Sequence, residues 1–149
     1  MTKIDFKKAV AAPFKAAGFV AKGQSFFKDS AEIAIVINLQ KSDFDEKYYV
    51  NLGVWLKGIA PAEFPSANKC HIQSRLTSIF PDQASAIDAA CHLGASEHQV
   101  EELVSFLEMT VVPFCEDCLH IDGLNLLIAG GRFKRALVMQ VARNFLASP

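Results

Sequence analysis

Two small sets of residues in this chain have types suited to chemistry. The first is Cys115-x-x-Cys118 with His120 close behind, joined by the neighbours Cys70-His71 and Cys91-His92. Thiolate and imidazole are zinc donors, but structural zinc sites normally present two spaced pairs, and here there is one. A redox pair opens a helix after a strand, whereas this one follows a helical stretch. The expectation is therefore four free thiols acting as small apolar groups in a reducing compartment, with no metal and no cofactor. The second set is His71 and Arg75 on one strand face, an imidazole for proton transfer beside a guanidinium for an anion. Alone they outline a hydrolase or transferase of unspecified type. The carboxylates that would assist them, Asp43-Asp45-Glu46, Glu101-Glu102 and Glu116-Asp117, fall on wet segments. The chain has no G-x-S-x-G elbow and no glycine-rich phosphate loop. Catalysis is accordingly the second reading, behind binding.

The binding reading comes from two alternating stretches. Ile33, Ile35, Ile37 and Leu39 share one side of a strand, with Ala34, Val36, Asn38 and Gln40 on the other. Val50, Leu52, Val54 and Leu56 likewise oppose Tyr49, Asn51, Gly53 and Trp55. A period of two over this length does not fit a helix. A further strand over 70–76 sets His71, Gln73 and Arg75 against Cys70, Ile72, Ser74 and Leu76. If helices cover the aliphatic side, the opposite face presents Asn38, Gln40, Tyr49, Asn51, Trp55, His71, Gln73 and Arg75. Tyr, Trp and Arg are enriched at binding hot spots, and amides both donate and accept. The competing reading is an ordinary wet face, or one covered by the 58–69 loop or a dimer mate. Gly53 is expected to leave room for Trp55 or Tyr49.

The elements that position this face follow from periodicity. A helix over about 2–17, N-capped by Thr2 with Asp5 in its first turn, buries Phe6, Val10 and Phe14. Pro13 should kink or end it, and Gly18 stops it. Residues 19–29 form a short strand or strand pair about Gly23. The strands over 32–40 and 47–57 follow through connections too short for a parallel crossover, so they make an antiparallel meander. Pro61 and Pro65 mark an irregular excursion. Ser96-Glu97-His98-Gln99 reads as a capping box opening a helix with Val100, Leu103, Val104, Leu107 and Val111 on one face, to be kinked or ended by Pro113. A helix from Asp122 stops at Gly130-Gly131. A last helix, 133–146, is expected to bury Phe133, Leu137, Val141 and Phe145. Its cations Arg132, Lys134, Arg135 and Arg143 make a basic face that could meet an acidic partner or nucleic acid, though against the neutral whole-chain balance a solvated helix side is the favoured reading.

These residues carry a resemblance. Ile37-Asn38-Leu39-Gln40-Lys41-Ser42, Tyr49-Val50-Asn51-Leu52-Gly53-Val54 and Cys70-His71-Ile72-Gln73-Ser74-Arg75-Leu76 with Phe80-Pro81 resemble an uncharacterised bacterial family, domain of unknown function 4304. Phe6 to Phe19 and Val112-Pro113-Phe114 extend the similarity to about residues 4–129; the basic stretch 132–148 is less clearly matched. The resemblance implies a small single-domain protein and brings no activity, ligand or catalytic residue.

A chain of 149 residues, 51% hydrophobic and 21% charged, suits one domain spanning 1–149, the sheet at about 19–76 and a helical part at about 96–147. The class is α+β: about four antiparallel strands, an N-terminal helix, and C-terminal helices mainly on one face. A net charge of -1 gives no field for nucleic acid or anionic lipid. No apolar run approaches the ~20 residues of a membrane span, and the amphipathic start is unlike a secretory signal. The function expected is a cytoplasmic binding module with a protein partner, a ligand or a second copy of itself on the polar-aromatic face. An inhibitor or immunity-type protein is one version.

Overall fold

The structure, a computed structural model, describes residues 3–147, with side chains from residue 6 onward. The expected cap Thr2 and the Asp5 carboxylate lie outside the described residues. Helix α1 is Lys3–Ala16. It runs through Pro13, and the Ala17 N–H still reaches the Pro13 carbonyl. The proline removes one internal hydrogen bond without ending the helix. The stop comes at Gly18, with φ at +90°. The Phe19 N–H bonds the Phe14 carbonyl and the Gly18 N–H that of Lys15, the two bonds of a Schellman turn. Phe14 and Phe19 close it with rings 5.2 Å apart, edge to face.

The sheet has six strands, not about four, in the order β1 Val20–Lys22, β2 Ser25–Asp29, β3 Ile33–Lys41, β4 Tyr48–Leu56, β5 Ile72–Arg75 and β6 Leu137–Val138. Every neighbouring pair is antiparallel. One extra strand arises because residues 20–29 form a complete hairpin about Gly23, whose φ is +62°. The other is β6, a two-residue edge strand.

The aliphatic side of β3 and β4 forms the core floor. Ile33, Ile35, Ile37, Val54 and Leu56 are fully buried, and share one cluster with Phe6, Val10 and Phe14 of α1. Helix α4, Glu97–Phe106, adds Val100 and Leu103 to that cluster. Its capping box is present in full: the Gln99 N–H donates to Ser96 Oγ, and the Ser96 N–H to Gln99 Oε1. The helical path then widens into one π turn, Leu107–Val111, and continues as α5, Val112–Asp117. Pro113 therefore neither ends nor replaces the helix. The wider turn precedes the residue that lacks an N–H, a usual accommodation. Leu107 and Val111 stay in the core.

Short helices α2, Leu76–Ile79, and α3, Ala84–Ala90, lie between the sheet and α4 in sequence, and α6 is Ile121–Ala129. Beyond α6 the expected helix over 133–146 is absent. Residues 130–135 are turns, β6 follows, and α7 occupies Gln140–Ala147. Phe133 is buried, but Leu137 and Val141 are exposed and Ala142 is the buried residue of α7. The spacing of four looked helical; the open edge of β5 claimed the segment instead. Ile72 pairs with Val138 and Gln73 with Leu137, and the Met139 N–H bonds the His71 carbonyl. Pairing there satisfies backbone groups that would otherwise face solvent.

Gly53 faces neither Trp55 nor Tyr49. A Cβ at this position would stand 2.6 Å from Cys70 Sγ and 2.8 Å from Val36 Cγ1. Gly53→Ala should lower the unfolding free energy by about 1–3 kcal/mol, the usual cost of overpacking. Gly94→Ala, with open space around it, should stay within ~0.5 kcal/mol. Urea titration of both variants checks this; equal midpoints would refute the close approach.

Candidate functional site

The register stacks the outer side chains into rows across the sheet. Phe27, Val36, Gly53 and Gln73 make one row; Ser25, Asn38, Asn51 and Arg75 make the next. Ala34 pairs with Trp55 on the apolar side, and Gln40 with Tyr49 on the polar side. The face therefore grades from Ala34 and Val36 to Asn38 and Gln40 along a single strand.

The apolar half is roofed. Phe27, Val36 and Cys70 form a second small buried cluster, with Trp55 and Ala67 packed against it. Phe64 meets Phe27 edge to face at 5.1 Å. The excursion that supplies this roof is fastened by two outer-face side chains. Trp55 Nε1 donates to the Ala60 carbonyl at 2.7 Å, and Gln73 Nε2 to the carbonyls of Asn68 and Cys70 at 3.0 Å. Trp55 and Gln73, expected as contact residues, are thus half-buried supports.

His71 is also committed. The residue is 5% exposed, and its ring lies 4.3 Å from the Trp55 ring. Its Nδ1 accepts the Leu56 N–H at 2.9 Å, which terminates β4. Burial lowers its pKa, and the accepted bond requires the neutral ring. Arg75 has a different partner, the Tyr49 ring, with the guanidinium carbon 3.6 Å from the ring centre. The imidazole and guanidinium are therefore held by separate partners, on the roofed and open parts of the face respectively.

The polar half is open. Asn51 Nδ2 donates to Asn38 Oδ1 at 3.3 Å and to Gln40 Oε1 at 2.9 Å, while Asn38 Nδ2 donates to Ser25 Oγ at 2.9 Å. This amide ladder floors a groove of about 760 Å³. Ser66, Ala67 and Asn68 of the excursion wall one side; Ser78, Arg135 and Leu137 belong to its lining near the β5 edge. Tyr49 supports Arg75 from beneath and also carries Lys47, whose ammonium lies 4.7 Å from the ring centre. Arg135 was not expected here. The basic stretch places Arg135 in this groove, lines a second hollow with Lys134 and Arg143, and sets Arg132 over Phe80. The four cations do not share one helix face, because 130–135 is not helical. The only sequence signal for Arg135 was its charge.

Cys115 and Cys118 are buried free thiols. Burial pushes Cys115 up to about 12, with Glu116 adding and Lys28 opposing, and it raises Cys118 strongly. Burial likewise pushes Cys70 and Cys91 up to about 12. Among the described residues no group of three or more His, Cys, Asp or Glu is placed to hold a metal. No described helix is long and apolar enough to cross a membrane.

An α+β meander with one roofed and one open outer half is the structural class. Residues 10–117 match the family model described as Domain of unknown function (DUF4304), and the chain belongs to that family. Comparison with curated proteins and with solved structures gave no match. The matched span holds the amide ladder and Arg75, while Arg135 lies beyond it.

Two outcomes follow. Because the folded chain disfavours the His71 proton, its contribution to stability is complete above the ordinary histidine pKa of about 6.5 and is lost as pH falls below it. His71→Asn keeps an acceptor but does not titrate, so its urea midpoint should fall less between pH 7 and 5 than that of the native chain. Parallel slopes would contradict the assignment. Ellman's reagent should modify almost no thiol of the native chain within minutes and all four in denaturant; rapid native modification of any cysteine would show it to be accessible.

Proposed function

We propose that the chain is a cytoplasmic binding module whose ligand or partner seats in the open polar half of the outer sheet face. The observation that supports this is the division of that face. Its apolar rows are roofed by the chain itself, while the row Asn38–Asn51–Arg75 and the neighbouring Gln40 are left uncovered around a groove of about 760 Å³. That volume is within the range of small-molecule sites. Asn51 Oδ1 and Gln40 Nε2 have no protein partner among the described residues, which leaves one acceptor and one donor for an occupant. Arg75 is held in place by Tyr49 and so loses little freedom on binding. Buried unreactive thiols suit a reducing compartment.

The test is a library of small polar fragments followed by amide chemical shifts. Shifts should concentrate at Asn38, Gln40, Asn51, Gln73 and Arg75. Asn51→Trp, which fills the groove, should weaken those fragments by at least about tenfold, equivalent to ~1.4 kcal/mol. Shifts scattered over other surfaces, or unchanged affinity in Asn51→Trp, would remove the groove as the site.

A further inference from the structure

We infer that the occupant of this groove is a small oxyanion, a polycarboxylate or phosphate ester, gripped between Arg75 and Arg135. The inference rests on the groove being the binding site and adds the chemistry of what it takes. The charge pattern carries it. The lining contains two guanidinium groups and not one Asp or Glu. Yet the whole chain is slightly acidic, with 16 acidic against 15 basic residues.

Neither arginine is neutralised by the protein. The ion pairs among the described residues are Lys41–Glu46, Lys47–Asp88, Lys57–Asp29 and His98–Glu102. Arg75 has only the Tyr49 ring, with its guanidinium carbon 3.6 Å from the ring centre, a separation that suits stacking, and Arg135 has no polar partner among the described residues. A stacked guanidinium keeps its in-plane N–H groups for a carboxylate or phosphate, the geometry arginine serves best.

The two charges come from separate parts of the chain. Arg75 ends β5, and Arg135 comes from the turn segment before β6, brought alongside by the Gln73–Leu137 pairing. The same lining carries neutral donors and acceptors: Ser66, Asn68, Ser74 and Ser78, with Asn51 Oδ1 and Gln40 Nε2 of the ladder. The combination suits a compact molecule with anionic groups and some hydroxyl or amide groups. An extended acidic peptide is less well matched, since the groove has a wall at Ser66–Asn68 and a small-molecule volume.

Citrate and pyrophosphate are the probes, titrated separately into the native chain at low salt and followed by amide shifts. One or both should bind with shifts at Arg75, Asn51 and the 135–137 segment; which binds tighter tells carboxylate from phosphate. Arg75→Gln and Arg135→Gln should each weaken binding about tenfold to a hundredfold, the loss of a charged hydrogen-bonding partner. Raising salt should weaken it further. Arg143→Gln, a charge change outside the groove, should leave affinity unchanged. No binding by either anion, equal binding in the double arginine variant, or preference for a glutamate hexapeptide over both anions would overturn the inference. If neutral fragments occupy the groove while the anions do not, the anion inference falls and the binding groove stands. If the anions bind only away from the groove, the anion inference falls; if the neutral fragments miss the groove as well, both fall.

Discussion

The organisation of this protein depends on one missing methyl group. At Gly53 the sheet surface is low enough for Cys70 to press against the backbone, with Val36 on the neighbouring strand closing the contact from the other side. That approach brings the excursion of residues 58–70 down onto the sheet. Trp55 and Gln73 then tie it at Ala60 and at Asn68 and Cys70. A side chain at residue 53 would collide with Cys70 and Val36 and force one of them to shift. A position that weakens a strand in isolation is here the condition for covering its outer face.

Two consequences follow for polar groups. Under the roof, the polar atoms are used up internally: the His71 imidazole accepts a strand-end N–H, the indole N–H finds a carbonyl, and Gln73 spends its amide donors on the excursion. No buried side-chain nitrogen or oxygen among the described residues lacks a partner, as a well-formed interior requires. Outside the roof the side chains bond mostly to each other. Asn51 is satisfied through its donors and Asn38 through Ser25, which holds their rotamers while leaving other atoms toward solvent. A surface whose side chains are already ordered costs less to use in recognition than one of independent rotors.

Much of the architecture was legible because it is local. The Phe6, Val10 and Phe14 stripe, the Ser96 capping box, the stop at Gly18 and the alternation of Ile33–Leu39 against Val50–Leu56 each depend on neighbours a few residues away. The resemblance to the DUF4304 family rested on the same strands, and the family match covers them. Even the division of the outer face is written in the chain, as Ala34 and Val36 giving way to Asn38 and Gln40. The failures are at places where a local pattern competes with a distant partner. Pro13 and Pro113 did not end their helical paths, since one lost hydrogen bond is tolerated, though the path widens into a π turn just before Pro113. Residues 133–146 had a helical spacing, but an unpaired strand edge more than sixty positions earlier drew part of them into the sheet.

By itself, then, the sequence determined the class of fold, the two faces of the central strands and the family, because periodicity and turn chemistry act over short separations. Only the tertiary structure decided which outer residues are supports and which are free. Trp55 and His71 look like contact residues in one dimension, yet they are consumed by Ala60 and Leu56. Arg135 is a solvated cation in both views, but only the fold sets it in the lining of the same groove as Arg75. The reason is that occupancy of a hydrogen-bonding atom, and the company of a charge, depend on what long-range strand pairing brings alongside, and no spacing along the chain encodes that.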